Sequence, residues 1–491
     1  ELMTEYIFYR YKFLNNHTLK TCIVFFILIS TTPLIAQNWM QLGGDILGQE
    51  PDEKCGASVS TSQDGLTVAV GSPFSVDSNS YWAGSVRVFR YNGTDWTLKG
   101  YPLTGTTTDR GFGIEICLSA DGNRIAICAS GGAQGEDAEI KIYEYNGSDW
   151  EQLGNTLLWN SITLYEGSVK LSPSGDALAL GDIGNSTNGN DSGQVRIYTL
   201  TGNSWQQRGS AINGLEDDIA GDVLDLSDDA NTIATNFGKA IQVYTWNGSD
   251  WAPKGNLFNT YDYDDVTLGM NGNMVVVSGA GINGNGGAQV FMWNGSSWIM
   301  QGALIEGPLG SGIGFSAALS NNNQVLALGG PGANSGLGEA RIYMYNGTDW
   351  SQVGNTIVGE SSLEYCGYSV SLNGAGNIIT VGSPTYLYGN YGLPERARIF
   401  RNDEVLGNEV PEDFIFESYP NPTRGSFIIK LGKTYPEVNI TVYNILREII
   451  SEKQYYFTNS ITQEITGAAG VYIVRVSTGI EGSKILRIIK Q

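Results

Sequence analysis

A chain of 491 residues with 41% hydrophobic side chains, 65 glycines and 14 prolines is folded and turn-rich, and it is too long for one ordinary core unless its architecture repeats. Its net charge of −22 is unevenly placed: residues 412–491 carry 9 Lys/Arg against 8 Asp/Glu, residues 1–37 carry 3 against 2, and residues 38–411 hold the remaining 16 against 40, a net of −24. Such a body repels nucleic acid and anionic membrane surfaces, and because the sole histidine is His17, the rest of the chain lacks Ser-His-Asp and Cys-His nucleophiles and most zinc sites.

At the N-terminus, Arg10, Lys12 and Lys20 precede the apolar run CIVFFILI at 22–29, and STTPLIAQ follows. A basic flank, a short apolar core and a small residue at the exit predict a secretory signal peptide with an upstream extension over 1–37, cleaved near Ala36 or Gln37. The run is shorter than the ~20 residues a spanning helix needs, so the chain is not expected to be an integral membrane protein. Cys22 opens the apolar core and does not follow it, which argues against a lipid anchor.

From residue 38 the chain repeats. A Trp recurs at Trp39, Trp96, Trp150, Trp205, Trp251, Trp298 and Trp350, with spacings of 57, 54, 55, 46, 47 and 52 residues, mostly inside variants of YNGTDWSQVG. Periods of this length point to a propeller or another repeat architecture. In residues 55–103, CGASVSTS, LTVAVGS, GSVRVFRY and WTLKGYPL read as four short antiparallel strands separated by QDG, a loop and NGTD. Counting the third strands gives seven such units over 38–403, the last without a Trp strand of its own. The orphan copy at 38–46, NWMQLGGDI, is expected to supply it, so the predicted fold is an all-β, seven-bladed β-propeller closed by an N-terminal strand.

Phe112-Gly113 with LSADGNRIAI, and VAVGSP at 68 or ITVGSP at 379, resemble the FG-GAP propellers of integrin α-chains and bacterial surface proteins. A kelch-like propeller shares the period. The resemblance implies the fold. It does not extend to calcium, because the turns ADGN, PSGD and NGAG are too short and too poor in carboxylates for the 6 to 8 oxygens that calcium takes. The Asn-Gly-Ser/Thr sites at Asn92, Asn146, Asn247, Asn294 and Asn346 match the glycosylation pattern but lie where a hairpin needs φ > 0, and they are read as turns.

No catalytic, cofactor-binding or metal-ligating residue is assigned. A carboxylate pair is the enzyme chemistry that remains, with Glu115, Asp222 and Asp225 as candidates facing a central channel; polar residues that merely solvate the channel are the simpler reading. Export permits disulfides, and the candidate pairs are Cys117 with Cys128 and Cys55 with Cys366, although bridging needs Cα atoms within about 7 Å and buried free thiols fit as well.

After a charged linker at 404–411, residues 412–491 resemble the C-terminal sorting domain of the type IX secretion system of Bacteroidota. The likeness is carried by Tyr419, Pro420, Asn421, Pro422 and Gly425, by VYN at 442, and by Gly470, Val471, Tyr472 and Lys490; Arg447 stands where the family usually has Gly. Alternating strands split by Pro, Gly and Asn turns predict a small β-sandwich. The resemblance implies passage through the periplasm, contact with the type IX machinery, and a secreted or outer-surface location. The expected function is non-enzymatic binding or adhesion toward an extracellular glycan or protein, with a carbohydrate-active enzyme as the alternative.

Overall fold

The computed structural model describes residues 38–76, 82–106, 110–130, 138–159, 168–259, 263–385, 394–402, 405, 417–444, 449–478 and 482–491. The expected signal peptide, and all of the expected linker except Val405, lie outside the described residues.

The described residues form seven five-stranded antiparallel sheets and an eighth at the C-terminus. Sheet 1 sets the pattern with Ser58–Thr61, Thr67–Ser72, Ser85–Tyr91 and Trp96–Leu98 in order, and Leu103–Thr104 pairing back onto Ser85 and Val86. The sequence predicts four strands per repeat; the structure breaks the fourth in two at Gly100, whose φ of 78° turns the chain away and back. Each outer edge is thereby cut into pieces of two to four residues, a device against edge-to-edge aggregation. Most second strands are buried along their whole length, as in TVAVGS, ALALGD and IITVGS, because the sheets are covered on both faces.

The first strands of sheets 1 to 7 are Ser58–Thr61, Ile116–Leu118, Val169–Leu171, Leu224–Leu226, Asp265–Leu268, Ser316–Leu319 and Ser369–Leu372. Each packs against the next, and the seventh packs against the first. The junctions are close: a Cβ on Gly181, in the second strand of sheet 3, would stand 1.9 Å from the carbonyl oxygen of Gly221, just ahead of the first strand of sheet 4. In sheet 7 the strand Arg396–Arg401 is paired from outside by Met40–Gln41 and Ile46–Leu47, in the register Met40 to Arg401 and Ile46 to Ala397. Trp39 is buried just ahead of this strand.

The repeated Trp joins each sheet to the one before it. Its indole Nε1 donates to a backbone carbonyl of the preceding repeat: Trp96 to Leu42, Trp150 to Lys99, Trp205 to Leu153, Trp251 to Arg208, Trp298 to Lys254 and Trp39 to Val353, at 2.7–3.2 Å. Trp350 is the exception, with Nε1 buried and unpaired, and the Oε1 of Gln301 in the repeat before it is unpaired too.

A second acceptor sits beside each latch. Asp95, Asp149, Asp250 and Asp349, each just before its Trp, accept the backbone N–H of Gly44, Tyr101, Ser210 and Ala303 across the junction. Where the residue before Trp is not Asp, the acceptor moves to the other side: Asn155 accepts the Trp205 N–H and Asn355 the Trp39 N–H. Ser297 likewise precedes Trp298, and the preceding repeat again supplies Asn, at Asn256.

The C-terminal sheet holds Glu417–Tyr419, Ser426–Tyr443, Ile449–Glu464, Gly470–Thr478 and Gly482–Lys490. The region expected to be a small sandwich forms one five-stranded hydrogen-bonded sheet with two long strands, whose pairing shifts register between Lys430 and Tyr435. Both halves of Ser426–Tyr443 bury apolar residues in one core, Phe427 and Ile429 with Val438, Ile440 and Val442.

Candidate functional site

The first strands carry polar residues inward. Glu115, Lys170, Asp225 and Asp265, from sheets 2, 3, 4 and 5, are each half-buried and act on one another electrostatically. Burial pushes the Glu115 carboxyl up to about 7 and that of Asp265 up to about 6, with Lys170 acting against the rise in both. Burial likewise raises Asp225. For Lys170, burial opposes the charge, but Asp225, Glu115 and Asp265 outweigh it and hold the ammonium above its ordinary range.

Each carboxylate is engaged with backbone of the next sheet. Glu115 Oε2 accepts from the Val169 N–H at 2.9 Å, Asp225 Oδ2 from Leu268 at 2.7 Å, and Asp265 Oδ2 from Ala317 at 2.9 Å. Ser60 Oγ accepts from Leu118 and Ser371 Oγ from Thr61 in the same manner. These side chains satisfy the open edges of the first strands, which would otherwise leave unpaired donors inside the protein. Among the described residues no group of three or more His, Cys, Asp or Glu is arranged to hold a metal ion. Asp222 does not join the Lys170 group; it lies near Tyr263, whose hydroxyl donates to Gly238. Lys170 and Asp265 were missed in the sequence, since VKLS and DVTL look ordinary until neighbouring sheets bring them together.

The four described cysteines, Cys55, Cys117, Cys128 and Cys366, are free thiols, the alternative to the two candidate pairs. Cys117 pairs across from Ala126 while Cys128 pairs with Ile140, so the two are not opposed on their hairpin. Cys55 and Cys366 each face an arginine instead of each other: Arg87 Nη2 lies 3.2 Å from Cys55 Sγ and Arg398 Nη2 3.5 Å from Cys366 Sγ. Burial pushes these thiols up to about 12 and about 11, so neither is a nucleophile near neutral pH. The motif Glu-x-Cys-Gly at 53–56 and 364–367 marks two buried ionic networks. In the second, Arg396 reaches Asp45 at 2.6 Å, Glu360 at 2.9 Å and Glu364 at 3.0 Å, tying the N-terminal segment to sheet 7.

The sorting signature converges at one end of the C-terminal sheet. Val471 pairs with Ile489 and Gly470 with Lys490, and Thr423 bridges Lys490. Asn421 Oδ1 accepts the Ile489 N–H at 2.8 Å. Lys490 Nζ donates to the carbonyls of Ile465 and Gly467 at 2.9 and 2.6 Å, and the Tyr472 hydroxyl donates to Ala468 at 2.9 Å. Gly425, at φ 130°, lies against the Lys490 side chain. Tyr419, Pro420 and Pro422 are exposed.

Three solved structures are similar to part of this chain. A putative 6-phosphogluconolactonase from Bacteroides uniformis has 11% identity and a TM-score of 0.47, covering 62% of this chain and 85% of its own. A functionally unknown protein from Desulfotomaculum acetoxidans has 12% identity and a TM-score of 0.41, covering 65% and 89%. The hydrazine synthase of Kuenenia stuttgartiensis has 10% identity and a TM-score of 0.46, covering 72% and 97%. At this distance none carries an activity over to the chain. No curated protein matches it. No helix among the described residues is long and apolar enough to cross a membrane. Residues 417–491 match the secretion system C-terminal sorting domain, and the chain is accordingly exported to the cell surface or secreted, through contact with the secretion machinery.

Proposed function

We propose that the seven sheets are the blades of one FG-GAP-like propeller, closed by its N-terminal strand, and that this body is a non-enzymatic binding module for an extracellular glycan or protein. The sorting tail carries it through the periplasm by type IX secretion. Support for the ring comes from the run of first-strand contacts, which returns from the seventh sheet to the first. The observation that carries the binding reading is the use of the interior carboxylates: Glu115, Asp225 and Asp265 each spend an oxygen on backbone of the neighbouring sheet. A glycosidase would need such a pair free for the sugar, with one member as acid and the other as base or nucleophile.

Two measurements test this. Deleting 412–491 should leave the body folded and retained in the periplasm, and normal surface appearance of the shortened chain would refute the export route. Incubated with a glycan panel, the secreted chain should bind without releasing new reducing ends. Product release that is lost in Asp225→Asn would favour the enzyme.

A further inference from the structure

The signature residues of the tail fall into two groups. Lys490, Asn421, Tyr472 and Gly425 are engaged within the sheet: the Lys490 ammonium is taken up by two carbonyls, Asn421 holds the last strand through Ile489, the Tyr472 hydroxyl caps Ala468, and Gly425 lies against the Lys490 side chain. Backbone bonds continue the knot, with the Thr423 N–H donating to Ile489 and the Gln491 N–H to Thr423, both at 2.8 Å. Tyr419, Pro420, Pro422 and Arg424 face solvent beside a groove of about 630 Å3 that the two prolines and Arg424 help to line. Lys430, on the strand paired with Glu417–Tyr419, places its Nζ 5.2 Å from the centre of the Tyr419 ring.

We propose that Asn421, Gly425, Tyr472 and Lys490 are positioning residues, and that the export machinery docks an acidic surface on the face they hold in place, made of Tyr419, Pro420, Pro422, Arg424 and Lys430. This rests on the export reading above. The chemistry is that of a small recognition patch, with an aromatic ring and two proline rings as apolar anchors and two cations at the rim. Charge selects the occupant. Residues 38–411 carry a net of −24, whereas residues 412–491 carry 9 basic against 8 acidic side chains. An acidic receptor surface therefore repels the cargo and accepts the tail, a discrimination that works at long range.

The test uses the full chain in a cell that exports it, with two readouts: the fraction reaching the surface or medium, and the protease resistance of the tail in chains retained inside. In Lys490→Met both should fall together, and Lys490→Arg should restore both. In the double variant Arg424→Glu with Lys430→Glu, the tail should stay resistant while export falls about tenfold or more, as reversed charges at a docking face do. Poor export of Lys490→Met with an intact tail would mean that Lys490 is read directly. Normal export of the charge-reversed chain would remove the face from recognition. Normal export after deletion of 412–491 would instead sink the export reading itself.

Discussion

The indole latch can be weighed by comparing two tryptophans that differ in one bond. Trp205 and Trp350 are both buried, at 3% and 7% exposure, and occupy the same place in their repeats. Trp205 donates to the Leu153 carbonyl at 2.9 Å, whereas Trp350 has no partner for its Nε1. Replacing either by Phe shrinks the ring in a similar setting, so that cost is common to both. Trp205→Phe additionally strands the Leu153 carbonyl, and leaving a buried group unpaired costs about 1–3 kcal/mol. Trp350→Phe removes a donor that was already unpaired and recovers part of its burial cost. Urea unfolding of the two variants, followed by far-UV circular dichroism, should therefore separate them by about 1–3 kcal/mol, with Trp205→Phe the weaker protein. Equal losses, or a larger one for Trp350→Phe, would refute the latch as a hydrogen-bonding device and leave only ring packing.

Asp149→Ser should cost about 1 kcal/mol by freeing the Tyr101 N–H, and Tyr101→Asn should restore most of it by supplying the acceptor from the other side; a double-mutant cycle showing no coupling would count against this. Glu115 has its pKa raised in the folded state, to about 7, so it favours folding while protonated and its contribution is lost as the pH rises through the range from about 4.5 to 7. The stability of Glu115→Gln relative to the parent should therefore improve from pH 5 to pH 8, by up to about 3 kcal/mol, and a flat difference would show that Lys170 already compensates the charge. Calcium chelators should leave the melting temperature unchanged, because the short first turns offer too few oxygens; a rise of several degrees on adding calcium would overturn that. Removing 38–47 should cost several kcal/mol, since it strips the outer strand from sheet 7 and the Asp45 partner from Arg396, and a small loss would mean that sheet 7 stands without it.

Much of the architecture was legible because it recurs at close range. The Trp period, the Asp-Gly and Asn-Gly turns and the apolar second strands are local signals, and each appears several times in one chain. The pairing of the orphan segment at 38–46 with Arg396–Arg401 followed from counting, because one repeat lacked an outer strand and one outer strand lacked a repeat. The interior was less legible. Lys170 and Asp265 gain their meaning from neighbours about 50 residues away in the chain, and no local pattern distinguishes them from residues on a solvated strand face. The tail was legible as a signature but not in the roles of its residues, since whether Lys490 is read or is spent on Ile465 and Gly467 depends on a turn 23–25 residues distant.

The junction acceptors carry a further lesson about how such a chain keeps its order. At six of the seven junctions an oxygen takes an N–H beside the latch: Asp before the Trp accepts from the residue after the preceding Gly, and where that residue is Asn, the Asn accepts from the Trp itself. In sequence the two choices never coincide: Asn155, Asn256 and Asn355 follow the glycines whose next Trp is preceded by Ser204, Ser297 and Asn38. A repeat with Asp placed after one ending in Gly-Asn would bring two acceptors to the Trp N–H, which Asp95, Asp250 and Asp349 also take, and the opposite misplacement would bring none. Either leaves a hydrogen bond unmade, at a net cost of about 0.5–1.5 kcal/mol for a typical bond. Neighbouring repeats are thus matched and not merely similar. An array of near-identical units risks pairing out of order, as repeat proteins do when they misassemble, and an acceptor that changes sides along the chain gives the correct neighbour an advantage that composition and length alone would not.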